Sequence, residues 1–169
     1  MIIWFKGISG VGKTTIAKAF YKSKKKQIKN IVFVDGDDFR KLFKNDLGYS
    51  LQDRNKNAER LCSFIKFLNN QKINMIISAN LTSRKYRVWA KRNLKDYLSI
   101  YISSNLRNLI LRDKKKIYKK NKNIVGIQIK HKTSDNSDLY IENNSSKIKL
   151  LKNLKIINGL IKKKKIKIY

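Results

Sequence analysis

Apolar positions in this chain come in blocks whose period switches between strand-like and helix-like. Short apolar runs at 2–6, 31–35, 73–79 and 98–102 read as buried strands, with a shorter fifth candidate at 139–142. Between them lie stretches with helical spacing. One begins near Lys13 and reaches about Lys24, and a short one covers 38–43. Over 54–70, Ala58, Leu61, Cys62, Phe64, Ile65 and Leu68 mark one face of an amphipathic helix. Further helices are expected over about 83–96 and over 106–112. A last one is marked by Leu150, Leu151, Leu154, Ile157, Leu160 and Ile161. Residues 113–137 are polar and aperiodic, and are expected to form a mobile lid.

This alternation predicts an α/β fold: a parallel five-stranded sheet with helices on both faces, in one domain over 1–169. Ligands of such sheets bind at the carboxyl ends of the strands. The sequence puts its chemistry there. Gly7-Ile8-Ser9-Gly10-Val11-Gly12-Lys13-Thr14 fits G-x-x-x-x-G-K-[ST] between a strand and a helix. Glycines let backbone N–H groups turn inward around phosphate oxygens, and the helix N-terminus adds positive potential. ATP and Mg²⁺ are the expected ligands, with Lys13 on the β- and γ-phosphates and Thr14 on the metal. Gly7, Ser9, Gly10, Val11, Gly12 and Thr15 complete the expected donor site.

The second strand ends in Asp35-Gly36-Asp37-Asp38-Phe39-Arg40. Two acids opposite the glycine loop suit Mg²⁺ orientation or acceptance of a hydroxyl proton, and Arg40 suits an anionic acceptor. The plainer reading is a helix N-cap supplied by Asp37 or Asp38. Asp46-Leu47-Gly48-Tyr49-Ser50 follows, then Asp53-Arg54-x-x-Asn57-x-x-Arg60, whose threefold spacing gathers Arg54, Asn57 and Arg60 on one helix face. Ser50 or Asp53 is the candidate cap for that helix.

In this order these motifs resemble the adenylylsulfate (APS) kinase family, over about residues 2–145 and most strongly over 2–60. The resemblance implies a three-layer P-loop kinase sandwich that transfers the ATP γ-phosphate to a ribose 3′-hydroxyl of adenylyl sulfate, a step of sulfate assimilation. It implies Asp37 as base near Mg²⁺, with Asp35 in support and Lys13 on the phosphates. It also implies Arg40, Tyr49, Arg54 and Asn57 on the acceptor, Lys115 and Ile124 on the acceptor from the lid, and Arg112 at the lid entry beside ATP. Tyr49 stands where the family usually has Phe. The family's Phe-Thr-Gly-Ile-Asp corresponds to Ile124-Val125-Gly126-Ile127-Gln128, and its Ser-Phe-Ile-Ser-Pro to Ser78-Ala79-Asn80-Leu81-Thr82. The donor half matches and the acceptor half is altered. A different activated nucleotide therefore stands as the alternative acceptor. The example is cytidine diphosphoramidate, used by a capsule-biosynthesis branch of the family.

Composition changes this picture little. Lys and Arg total 41 against 11 Asp and Glu, for a formal charge of +30. An RNA-binding protein or RNA-end kinase is one reading. However, Lys outnumbers Arg, the lysines are spread along the chain, and no aromatic-interleaved RNA signature occurs, so drift toward A/T-rich codons is the preferred account. The run Lys162–Lys165 reads as a solvated helix end. No uncharged apolar run is long enough for a membrane span, and the single Cys62 fits a reducing, cytoplasmic location. Trp4 and Trp89 are assigned to the core or to subunit contacts, which leaves room for a homodimer. No Cys/His cluster suggests zinc, and His131 has no assigned role.

Overall fold

The computed structural model describes residues 1–112, 125, 129 and 137–169. Its elements run β1 (Ile2–Lys6), α1 (Lys13–Lys25), β2 (Ile31–Asp35), α2 (Gly36–Leu42), α3 (Leu51–Asn70), β3 (Asn74–Ser78), α4 (Arg84–Asn93), β4 (Tyr97–Ser103), α5 (Leu106–Leu111), β5 (Leu139–Glu142) and α6 (Lys147–Lys163). The strands form one parallel sheet in the order β2-β3-β1-β4-β5. The α/β class, the five strands and the two covered faces agree with the sequence expectation. The expected lid lies almost wholly outside the described residues.

Every residue of β1 and β3 is buried, which is why both read as continuous apolar runs. Strand alternation then divides them between two cores. Ile3 and Phe5 face α1 and α6, with Ile16, Phe20, Leu150, Ile157 and Ile161. Ile2 and Trp4 face α3 and α4, with Leu61, Cys62, Ile65, Tyr86 and Ala90. Trp4 is fully buried; its indole packs edge-on against Tyr97 and its Nε1 donates to the Ala79 carbonyl at 2.9 Å. A buried indole needs such a partner for its N–H. At the opposite end of the sheet, the Asn74 amide bonds Asn30 and both main-chain polar atoms of Tyr169.

Several boundaries move, each for a local reason. α2 begins at Gly36 because Asp35 is its cap, accepting from the Asp37 N–H, so neither Asp37 nor Asp38 is the cap. α3 begins at Leu51, capped by Ser50. α4 stops at Asn93, and β4 opens at Tyr97 after Asp96 turns the chain at φ 52°. In the C-terminal lysine run, Lys164 is an ion-pair partner of Asp138 rather than a fully solvated end.

Cys62 is buried on α3, and burial, then the nearby Glu59 carboxylate, pushes its thiol up from 9.0 to about 12. The folded protein is therefore expected to resist a soluble disulfide reagent at about pH 8 and to react once unfolded in urea. A thiol whose folded pKa is raised stabilises fully below 9.0 and loses that contribution as pH climbs towards 12. Cys62→Ala should flatten this part of the stability–pH curve, measured by urea denaturation at several alkaline pH values.

Candidate active site

The strand order reverses about β1, so a crevice opens at its carboxyl end. The glycine loop fills it. Gly7 has φ 138°, and a Cβ there would sit 2.2 Å from the Ile102 carbonyl oxygen of β4. Gly12, at φ 96°, would drive a Cβ to 2.8 Å from Asn143 Nδ2. Neither position accepts a side chain. The Asn143 amide is buried and donates to the Val11 carbonyl at 2.9 Å, pinning the loop to the segment after β5. Arg112 braces that segment from α5, donating to the carbonyls of Asn143 at 2.8 Å and Ser145 at 2.7 Å.

The loop leads into α1, whose N-cap is Gly12, with no side-chain cap and no acid in the first turn. Its first amides are thus left for an anion. Lys13 is half-buried and lies back across the loop, donating to the Ile8 carbonyl at 2.7 Å. Ser9, Gly10 and Thr15 are exposed around the cradle, and Val11 is buried beneath it. The Thr14 hydroxyl donates to Asp35 Oδ2 at 2.9 Å and meets Ser78 Oγ at 3.0 Å. With its one proton given to Asp35, Thr14 accepts from Ser78.

These oxygens suit a hard cation. Among the described residues no group of three or more His, Cys, Asp or Glu could hold a metal. Mg²⁺ typically takes one or two protein oxygens and completes its shell with phosphates and water. Thr14 with Asp35 fits that requirement. Asp37 is exposed one step into α2, close enough to the Arg54 guanidinium to favour its charge.

The acceptor candidates gather on α2 and α3. Arg40 is 8% exposed and donates through Nη1 to the carbonyls of Leu47 at 3.1 Å and Gly48 at 3.0 Å. Its guanidinium lies 4.8 Å from the Tyr49 ring centroid, and that of Arg54 lies 5.3 Å from the same ring. Arg54 Nε also donates to the Tyr49 carbonyl at 2.9 Å. Burial and the neighbouring Arg40 lower the Arg54 pKa, while Tyr49 and Asp37 oppose the shift. Asn57 is half-buried one turn beyond Arg54. Arg60 is engaged elsewhere, forming a bidentate pair with Asp46 at 2.8 Å and covering the Phe43 ring. Lys115, Ile124 and Gln128 lie outside the described residues.

Asn143 escaped the sequence reading, although it directly follows the carboxyl end of β5, where ligands of this fold class bind. In the sequence, Ser78 and Asn80 are only part of the altered acceptor-side segment, with no contact assigned to either. The structure sets the Ser78 hydroxyl against Thr14, and it leaves Asn80 Oδ1 and Nδ2 both buried without a hydrogen-bond partner. An unsatisfied buried polar group costs about 1–3 kcal/mol.

Fold and site together define a P-loop kinase. The adenylylsulphate kinase family model matches residues 1–142, and the chain belongs to that family. It is therefore an ATP-dependent kinase that transfers phosphate to a hydroxyl of a nucleotide. The chain is 36% identical to a cytidine diphosphoramidate kinase of Campylobacter jejuni over 147 residues, covering 84% of this chain and 85% of that one. It is 31% identical to an adenylyl-sulfate kinase of Buchnera aphidicola over 172 residues, covering 94% and 84%. The Mycobacterium tuberculosis APS kinase CysC, solved in complex with AMPPNP and APS, superposes with a TM-score of 0.82 at 24% identity, covering 95% and 96%. Among the described residues no helix is long and apolar enough to cross a membrane.

Removing the Asn143 amide leaves the Val11 carbonyl unpaired beneath the cradle. Asn143→Ala is expected to raise the KM for ATP by about 10-fold, a loss of one buried hydrogen bond, while the acceptor KM changes less. Steady-state ADP release at varied ATP checks this.

Proposed function

We propose that this chain transfers the ATP γ-phosphate to the ribose 3′-hydroxyl of an activated nucleotide, and that cytidine diphosphoramidate is its acceptor. The observation that carries the acceptor site is the convergence of Arg40 and Arg54 on the Tyr49 ring with Asp37 beside Arg54. Two fixed guanidinium groups suit a diphosphate-linked anion, and the exposed ring offers a stacking face. Asp37 lies two residues beyond Asp35 and suits the general base that accepts the hydroxyl proton.

On the donor side, α1 amides hold the phosphates, and Lys13 exchanges the Ile8 carbonyl for the β- and γ-phosphates. Thr14 and Asp35 would hold Mg²⁺, with Asp37 nearby, and the ion would neutralise charge on the transferring phosphoryl group. In-line transfer asks little more of the protein than this positioning and charge neutralisation. A cytoplasmic location goes with ATP as donor.

Cytidine diphosphoramidate is preferred because the acceptor half departs from the family pattern at Ala79, Asn80 and Leu81. The similarity to a cytidine diphosphoramidate kinase points the same way. Adenylyl sulfate is the second reading, favoured by the intact Asp35-Gly36-Asp37-x-x-Arg40 and Arg54-x-x-Asn57 motifs.

Lys13→Ala is expected to lower kcat by about 10³-fold or more, and Asp37→Ala by about 10²–10⁴-fold, without loss of fold. Near-normal turnover in Asp37→Ala would remove it as the base. The acceptor is decided by ADP release with cytidine diphosphoramidate and adenylyl sulfate side by side. Turnover with adenylyl sulfate alone would overturn the preferred acceptor.

A further inference from the structure

We propose that the Asn80 side-chain amide pairs with the amino and ring-nitrogen edge of cytosine in the acceptor, making Asn80 a specificity-determining residue. This rests on the cytidine reading above.

The first ground is an imbalance of hydrogen bonding. Asn80 is the one described residue whose two side-chain polar atoms are both buried and unpartnered. Its neighbours in the same turn are satisfied. The Ala79 carbonyl accepts from Trp4, and the Leu81 and Thr82 carbonyls accept from Arg87 Nη1. Other buried asparagines with an unpaired atom differ. At Asn55 only Oδ1 is buried and unpartnered, Asn69 accepts from the Lys95 N–H, and Asn158 donates to the Leu154 carbonyl. A fully orphaned amide is destabilising in the free chain, so its presence calls for a partner that arrives with a ligand.

The second ground is position. Asn80 stands two residues beyond Ser78, whose hydroxyl meets Thr14 at the metal and phosphate end of the site. Between them Ala79 presses on the start of α2, where a Cβ on Gly36 would lie 3.0 Å from the Ala79 Cβ. One turn along α2, Arg40 holds the Tyr49 ring. Asn80 therefore directly follows the residue packed on the start of α2, the helix that carries Asp37 and Arg40. The residue as a whole is only half-buried, so a side-chain rotation presents the amide to an incoming base.

The third ground is chemical complementarity. The charged parts of donor and acceptor already have cations in Lys13, Arg40 and Arg54. A neutral amide offers one acceptor and one donor side by side, the complement of an exocyclic amine next to a ring nitrogen. Cytosine carries that edge at N4 and N3, whereas adenine carries it at N6 with N1 or N7, on a fused two-ring frame that places both edges away from the cytosine position when the ribose is held fixed. With ribose and phosphates fixed, a single amide position serves one base and not the other.

The test compares wild type, Asn80→Ile and Asn80→Ser, with cytidine diphosphoramidate and adenylyl sulfate as acceptors and thermal melting as a control. The wild-type protein is expected to use the cytidine acceptor. Asn80→Ile is expected to lower its kcat/KM by about 10- to 100-fold, as for losing one or two hydrogen bonds, chiefly through KM. The KM for ATP should stay within about twofold, and the melting temperature should rise because an orphaned buried amide is gone. Asn80→Ser should show the same acceptor loss without added apolar bulk, which keeps the test sound if the isoleucine variant misfolds. Unchanged cytidine kcat/KM in the folded variants, or equal losses for ATP and acceptor, overturns the role of Asn80 and leaves the cytidine reading standing. Wild-type turnover with adenylyl sulfate alone overturns both.

Discussion

The phosphate cradle depends on one close contact: the backbone of the glycine loop pressed against the ends of β4 and β5. Gly7 touches the Ile102 carbonyl so closely that no Cβ fits, and the Asn143 amide holds the Val11 carbonyl from the other side. A loop rich in glycine loses much entropy on ordering, so its shape must be imposed from outside. Here the imposition comes from residues more than 90 positions away in the chain. Arg112 fixes the Asn143 and Ser145 carbonyls, and α6 lays Leu150 against Gly12. The outer strand β5, short and only partly buried, is thus as necessary to nucleotide binding as the loop itself.

That dependence also explains what the sequence could and could not reveal. β1 and β3 are buried on both faces, so their apolar runs stood out, and the helices of α3 and α6 carried clear periodic faces. The glycine loop is local and was legible from its spacing alone. Asn143 is one polar residue in a short polar segment; only the parallel register of β5 beside β4 brings it to the loop. The acids after β2 were read as a pair, whereas the structure separates them. Asp35 uses one oxygen to cap α2 and the other to hold Thr14, while Asp37 is exposed near Arg54. Capping and metal-site chemistry are therefore combined in one carboxylate, which a cap rule applied to Asp37 or Asp38 misses.

On the acceptor side, Tyr49 occupies a position the resemblance assigns to phenylalanine, and the structure gives that ring two guanidinium neighbours. A cation over an aromatic face contributes about 0.5–1 kcal/mol when exposed and more when desolvated. The larger effect is orientation. The Arg40 hydrogen bonds go to neutral carbonyls of the Leu47–Gly48 turn, which fix the side chain without neutralising it. Its charge is then available to an anionic acceptor, and little rotamer entropy remains to be lost on binding. Arg60, on α3 two threefold steps beyond Arg54, is instead engaged in a bidentate pair with Asp46. Equal spacing of Arg54 and Arg60 in the sequence therefore conceals two different settings: Arg54 lies against the Tyr49 ring, and Arg60 ties α3 back to the α2–α3 turn.

The net charge of +30 acts on a different scale from these contacts. Surface lysines are screened beyond about 8 Å at physiological ionic strength, so they raise the local concentration of anionic nucleotides without choosing among them. They also repel one another: burial, and then the neighbouring Lys162 on α6, lower the pKa of Lys24 on α1. A field so diffuse favours ATP, adenylyl sulfate and cytidine diphosphoramidate alike, because each is a polyanion. Discrimination among them has to come from groups that are neutral and desolvated. Among the described residues at the carboxyl edge of the sheet, the unpaired Asn80 amide meets that condition. A diffuse field of this kind can raise nucleotide concentration at the crevice, but choice of acceptor requires short-range, neutral contacts of the kind proposed for Asn80.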